Sequence, residues 1–157
     1  MSLTIGQQAP AFTLYDTDKN KVSLEDFKDK NVLLLFFPLA FTSVCTTELC
    51  SIRDNIAFYN NTDAVVFGIS VDSLFTLKKF KEEQGLNFAL LSDFNRAVSK
   101  AYNALYETFP AFEMEGVSKR AAFIIGKEGN LQYAEVCASP GDLPNFNNIQ
   151  TILSALK

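Results

Sequence analysis

Apolar and polar positions alternate loosely from Ala11 to Tyr15, which reads as a strand, and Asp16-Thr17-Asp18-Lys19-Asn20 reads as its turn. Val32 to Phe37 is instead an unbroken apolar run of strand length. Such a run marks a strand buried on both faces, and Pro38 stops it. From Val44 to Phe58 the period lengthens to that of a helix, with Leu49, Ile52, Ile56 and Tyr59 at 3–4 spacing and Thr42 or Ser43 available as a cap. Ala64 to Val71 is a second buried strand. Ser73 to Gln84 predicts a helix with Leu74, Leu77 and Phe80 inward and Gly85 as its stop. Phe88 to Leu91 is a short strand and Ala97 to Tyr102 a short helix. Residues 103–119 show no period. Arg120 to Ile125 and Leu131 to Cys137 bracket Gly126-Lys127-Glu128-Gly129-Asn130 as a hairpin, and Pro144 to Leu156 closes the chain as a helix.

This order predicts an α/β fold: a central mixed sheet, parallel early and antiparallel at the end, with helices on both faces. It is compatible with a thioredoxin-like fold. No repeat, low-complexity stretch or linker divides the chain, so residues 1–157 are expected to form one domain. A chain of this size buries roughly 68–70% of its unfolded surface and needs no disulfide staples.

Composition narrows the chemistry. The chain has no histidine. That excludes Ser-His-Asp and Cys-His catalysis and the histidine-ligated zinc, haem and copper sites. The net charge is −4 and no clustered Lys/Arg face is visible, so nucleic acid is not an expected partner. The longest apolar stretch, Val32 to Phe41, is about half of the ~20 residues that span a bilayer, so no membrane association is expected. The first residues lack a basic region followed by an apolar segment, which points to the cytoplasm. There a disulfide is more often transient than structural.

The segment Pro38 to Cys50 leaves the carboxyl end of a buried strand and enters a helix, where open α/β sheets place their ligands. Cys45 falls in the first helical turn. Unpaired amides and the helix dipole there favour a thiolate, the nucleophilic form, without any imidazole. On position alone, Cys45 reads equally as a small buried hydrophobe. The spacing Pro38-x-x-x-Thr42-x-x-Cys45 resembles the active-site motif of the peroxiredoxins at each defined position. Gly6-x-x-Ala9-Pro10-x-Phe12, Leu34-Leu35-Phe36-Phe37-Pro38, Leu91-Ser92-Asp93 and Arg120 extend the resemblance over most of the chain. The local matches are similar to the alkyl hydroperoxide reductase E and bacterioferritin-comigratory-protein types.

The resemblance implies a thiol-dependent peroxidase acting on hydrogen peroxide and organic hydroperoxides through a cysteine sulfenic acid. No cofactor and no metal is expected. Cys45 is then the peroxidatic cysteine. Thr42 and the amides near Val44 and Cys45 donate to the leaving oxygen, and Arg120 stabilises both that oxygen and the thiolate. Pro38 shields the sulfur, and Glu48 orients the arginine. Taken as residues alone, Arg120 is a surface charge at a strand start and Glu48 an ordinary acid in a first helical turn.

Two further cysteines are candidates for resolving the sulfenate. Cys50, five residues on, matches the resolving position of some bacterioferritin-comigratory-type members, but also falls near the apolar stripe of Leu49 and Ile52. On an intact helix the two Cα atoms stand roughly 8–9 Å apart, beyond the ~7 Å a disulfide tolerates, so pairing requires the first turns to unwind. Cys137 loosely resembles the resolving cysteine of another class and reads otherwise as a strand-end residue. The third route is an external thiol, from a thioredoxin-like protein or a small molecule. The crowded aromatics Tyr102, Tyr106, Phe109 and Phe112 with Met114 suggest a homodimer contact. Phe37 and Phe41 are expected to make the pocket entrance apolar. A thioredoxin-type thiol-disulfide oxidoreductase would want Cys-x-x-Cys, which is absent; a non-catalytic thioredoxin-fold binding domain is the other alternative.

Overall fold

The continuous apolar run becomes a strand inside the sheet. In the computed structural model, which describes residues 3–156, β3 (Asn31–Phe36) is buried along its whole length. Seven strands form one mixed sheet in the order β2-β1-β5-β4-β3-β6-β7. β3 runs parallel to β4 (Ala64–Ser70) and antiparallel to β6 (Ala121–Ile125). β5 (Ala89–Ser92) runs parallel to β4, and β7 (Leu131–Val136) pairs with β6 as the expected hairpin.

Successive side chains of a strand point to opposite faces, and both faces of β3 are covered. Leu33, Leu35 and Phe37 enter one apolar cluster with residues of α1 (Ser43–Asp54), α2 (Ile56–Asn61), α3 (Leu74–Gln84) and α5 (Phe146–Leu156). Val32, Leu34 and Phe36 enter the other, with Phe12, Val98 of α4 (Ala97–Ala101), Tyr102 and Phe123. No polar position interrupts the run because neither face meets water. α3 begins and ends as its sequence predicts: Ser73 Oγ accepts the Thr76 N–H at 3.2 Å, and Gly85 takes φ +60°. No helix among the described residues is long and apolar enough to cross a membrane.

Three features depart from the expectation. β1 (Thr13–Asp16) forms a second hairpin with β2 (Lys21–Ser23) and pairs antiparallel with β5. Antiparallel pairs therefore flank the parallel centre on both sides, rather than coming only at the end. Three residues are too short for β2 to display a period. The helix expected over 44–58 is broken at Asn55 (φ −116°, ψ 19°), whose side-chain Nδ2 donates to Ser51 O at 2.8 Å. α1 and α2 present Ile52 and Tyr59 to the same cluster, so the apolar period runs through the break. The last helix starts at Phe146 rather than Pro144.

Candidate active site

β3 delivers the chain to Pro38, which is buried, and the loop then reverses at Phe41. Phe41 has φ +67°, a left-handed conformation unusual for a bulky residue and costing on the order of 1–3 kcal/mol. The reversal puts Thr42 at the N-cap position of α1. Its hydroxyl does not cap the helix. It donates to Leu39 O at 2.9 Å and so closes the loop on itself. The first backbone bond of α1 runs from the Thr46 N–H to Thr42 O, which leaves the amides of the first turn without helical partners.

Cys45 is the third residue of α1 and is fully buried. Glu48 follows one turn later on the same face, also fully buried. Arg120, immediately before β6 and only 2% exposed, meets both. Its Nη2 donates to Cys45 Sγ at 3.2 Å, and its Nη1 forms a hydrogen-bonded ion pair with Glu48 Oε1. Nε and Nη2 also donate to Pro140 O, at 3.2 and 2.9 Å. A planar fork can satisfy three acceptors at once; an ammonium could not hold this geometry. Glu48 Oε2 is buried without a partner. Burial pushes the Glu48 carboxyl up to about 7, with Arg120 pulling the other way. Burial also opposes the charge on Arg120, but Glu48 and Cys45 outweigh it and hold the guanidinium above its ordinary range.

The structure thus brings Cys45, Glu48 and Arg120 together. All three thiols are free. Cys50 is half-buried on another side of α1, its sulfur 3.6 Å from Gln84 Oε1 at the end of α3. α1 is unbroken between the two cysteines. Cys137 is buried just past β7, and its N–H donates to Arg120 O at 2.8 Å. Burial, reinforced by the negative charge of Glu135, pushes its thiol up to about 11.

The aromatic residues divide. Tyr102 is core, its hydroxyl donating to Pro10 O at 2.7 Å. Tyr106 and Phe109 are half-buried in edge-to-face contact. The bridges Leu105–Ser118 and Thr108–Glu115 make the aperiodic segment a loose antiparallel arm, with Phe112 87% exposed near its tip. Phe37 does not line an entrance: its ring belongs to the core beneath the loop and packs on Phe80, because alternation along β3 sends it to the face that α1 and α3 cover. Phe41 is 47% exposed. No sequence pattern points to the Pro140 carbonyl, which accepts from Arg120 Nε and Nη2.

The AhpC/TSA family profile matches residues 5–134, a span that contains Pro38, Thr42, Cys45, Glu48 and Arg120. The chain is 38% identical over 157 residues to alkyl hydroperoxide reductase E of Mycobacterium tuberculosis, covering 98% of each protein. It is 39% identical over 130 residues to the bcp peroxiredoxin of Haemophilus influenzae, covering 82% of this chain and 83% of that one. The crystal structure of a peroxiredoxin-like protein from Aquifex aeolicus superposes with a TM-score of 0.90 at 25% identity, over 100% of this chain and 90% of the other. This thioredoxin-like α/β chain therefore belongs to the AhpC/TSA family and is a peroxiredoxin, a thiol-dependent peroxidase.

Proposed function

We propose that Cys45 is the peroxidatic cysteine and that Arg120, Thr42, Pro38 and Glu48 complete its site. The observation that carries this reading is the 3.2 Å hydrogen bond from Arg120 Nη2 to Cys45 Sγ at the start of α1. Both the guanidinium and the unpaired amides favour negative charge on sulfur. The thiolate attacks the terminal oxygen of a hydroperoxide. The S–O bond forms, the O–O bond breaks, and the leaving oxygen departs with the electron pair and takes up a proton as water or an alcohol. Arg120 and the first-turn amides face the developing charge. Because the Thr42 proton lies on Leu39 O, its Oγ offers lone pairs and accepts the peroxide O–H; this role replaces the donor expected from the sequence. Pro38, buried and without an N–H, keeps competing donors from the sulfur. Glu48 holds the guanidinium in plane with its targets.

Substrates are hydrogen peroxide and organic hydroperoxides; the name of the mycobacterial relative supports the second class. Reduction comes from a thiol outside the chain, a thioredoxin-like protein or a small thiol. It condenses with the sulfenic acid to a mixed disulfide and water, and a second thiol then releases Cys45. The unbroken α1 favours this route over Cys50, which requires local unwinding, and the neutral thiol of Cys137 disfavours that residue as a resolver. The chain acts as a single domain in the cytoplasm and as a homodimer, with exposed Phe41 and Phe112 as candidate contacts. The test is Cys45→Ser: purified variant protein should consume no peroxide with a thiol reductant present, and retained turnover would sink the assignment.

A further inference from the structure

Asp72 touches neither the sulfur nor Arg120, yet its carboxylate is aimed at the loop that leads to Cys45. Oδ2 accepts the backbone N–H of Ala40 at 2.8 Å and the Ser70 hydroxyl at 2.7 Å. The Asp72 N–H donates to Ser70 Oγ at 3.2 Å, and the Ser92 hydroxyl donates to Asp72 O at 2.7 Å. The ends of β4 and β5 therefore fix this residue from two sides. The amide it holds immediately precedes Phe41, the residue with φ +67°. Phe41 is held in turn by its ring, edge-on to Phe80 of α3 at 5.1 Å.

We propose that Asp72 is a positioning residue for the peroxidase reaction: it pins Ala40 and the left-handed turn at Phe41, so that α1 starts where Cys45 meets Arg120. The inference rests on Cys45 being the peroxidatic cysteine. Holding Phe41 left-handed carries a backbone cost, which the Asp72 tie and the Phe80 contact offset. A carboxylate accepting an amide is among the stronger ties available, roughly twice a neutral hydrogen bond. With its N–H taken by Asp72, Ala40 is not a donor to peroxide, so Asp72 acts through loop geometry and not through substrate. Released, the loop relaxes and carries Thr42 and the first turn of α1 with it. A displacement of about 1 Å at a reacting centre can cost on the order of 100-fold in rate.

The experiment compares Asp72→Ala, Asp72→Asn and Asp72→Glu with wild type and Cys45→Ser. It reads the second-order rate constant of Cys45 with hydrogen peroxide, the rate of Cys45 with iodoacetamide, and the urea midpoint. Alkylation needs the thiolate, which Arg120 favours, but not the Thr42 acceptor or the donors that face a leaving oxygen. Asn keeps an oxygen for Ala40 and Ser70, whereas Ala keeps none and Glu displaces the carboxylate by one methylene. Asp72→Ala and Asp72→Glu should lose about 10- to 100-fold in the peroxide rate and far less in alkylation, while Asp72→Asn restores most of the peroxide rate. A folded Asp72→Ala with the wild-type peroxide rate overturns the proposal, as does Asp72→Asn falling as far as Asp72→Ala. If Asp72→Ala does not fold, Asp72→Glu decides, and a wild-type peroxide rate there overturns it. Turnover by Cys45→Ser would defeat the underlying assignment; an inactive Cys45→Ser beside an unaffected Asp72→Ala defeats only the role of Asp72.

Discussion

Cys45 and Glu48, one helical turn apart on α1, bind different nitrogens of one guanidinium, that of Arg120. The sulfur and the carboxylate therefore share a single cation. A change at either is felt by the other through it.

Arg120 should be irreplaceable even by lysine. An ammonium keeps the charge but cannot reach Cys45, Glu48 and Pro140 together. Stopped-flow oxidation by hydrogen peroxide should slow by about 100-fold or more in Arg120→Lys, the loss typical of removing one donor to a developing anion. A loss of only two- or threefold would mean that charge alone suffices.

Glu48 should write a pH dependence into stability. Its carboxyl is raised from 4.5 to about 7 by burial, so between these values the native protein binds more protons at this site than the unfolded chain. The contribution is full below about pH 4.5, declines as pH rises through 4.5 to 7, and stays low above that. The stability of wild type relative to Glu48→Gln should fall from pH 5 to pH 8 in urea titrations. A constant difference across that range would contradict the buried, protonatable carboxyl.

Peroxide treatment should oxidise Cys45 alone. After one equivalent, dimedone should label Cys45 while Cys50 remains open to alkylation, because α1 holds the two sulfurs toward Arg120 and Gln84. A Cys45–Cys50 cross-linked peptide in the mass map would show that the helix unwinds during turnover and would replace the external-thiol route.

Cys137 should be inert. With its thiol pushed up to about 11, it should resist iodoacetamide at pH 8 in the folded protein. Cys137→Ser should leave the peroxide rate within about twofold of wild type, as expected for a group outside the reacting centre. Rapid labelling of Cys137 in native protein would argue against its burial.

Much of the proposed site was legible because it is written in residue types and short spacings. Pro38, Thr42 and Cys45 occupy one loop and one helical turn, and the run Val32 to Phe37 announced the strand that delivers them. Arg120 and Glu48 were nameable only through family resemblance, since no local pattern joins residues 72 positions apart. The direction of the Thr42 hydroxyl was not legible, because it depends on where the loop turns back at Phe41. The burial of Phe37 was legible in the run Val32 to Phe37 and already excluded it from an entrance. β2 escaped because three residues cannot show a period.

The carbonyl of Pro140 lies beyond the 5–134 span of the family match, yet it receives two of the guanidinium's hydrogen bonds. Every amino acid carries that acceptor, so this anchor is specified by where the chain passes after β7 and not by which side chain it bears. The segment after β7 is thus free to vary in composition while its path is constrained. Inserting or deleting a residue between Cys137 and Pro140 should perturb Arg120 more than any single substitution there.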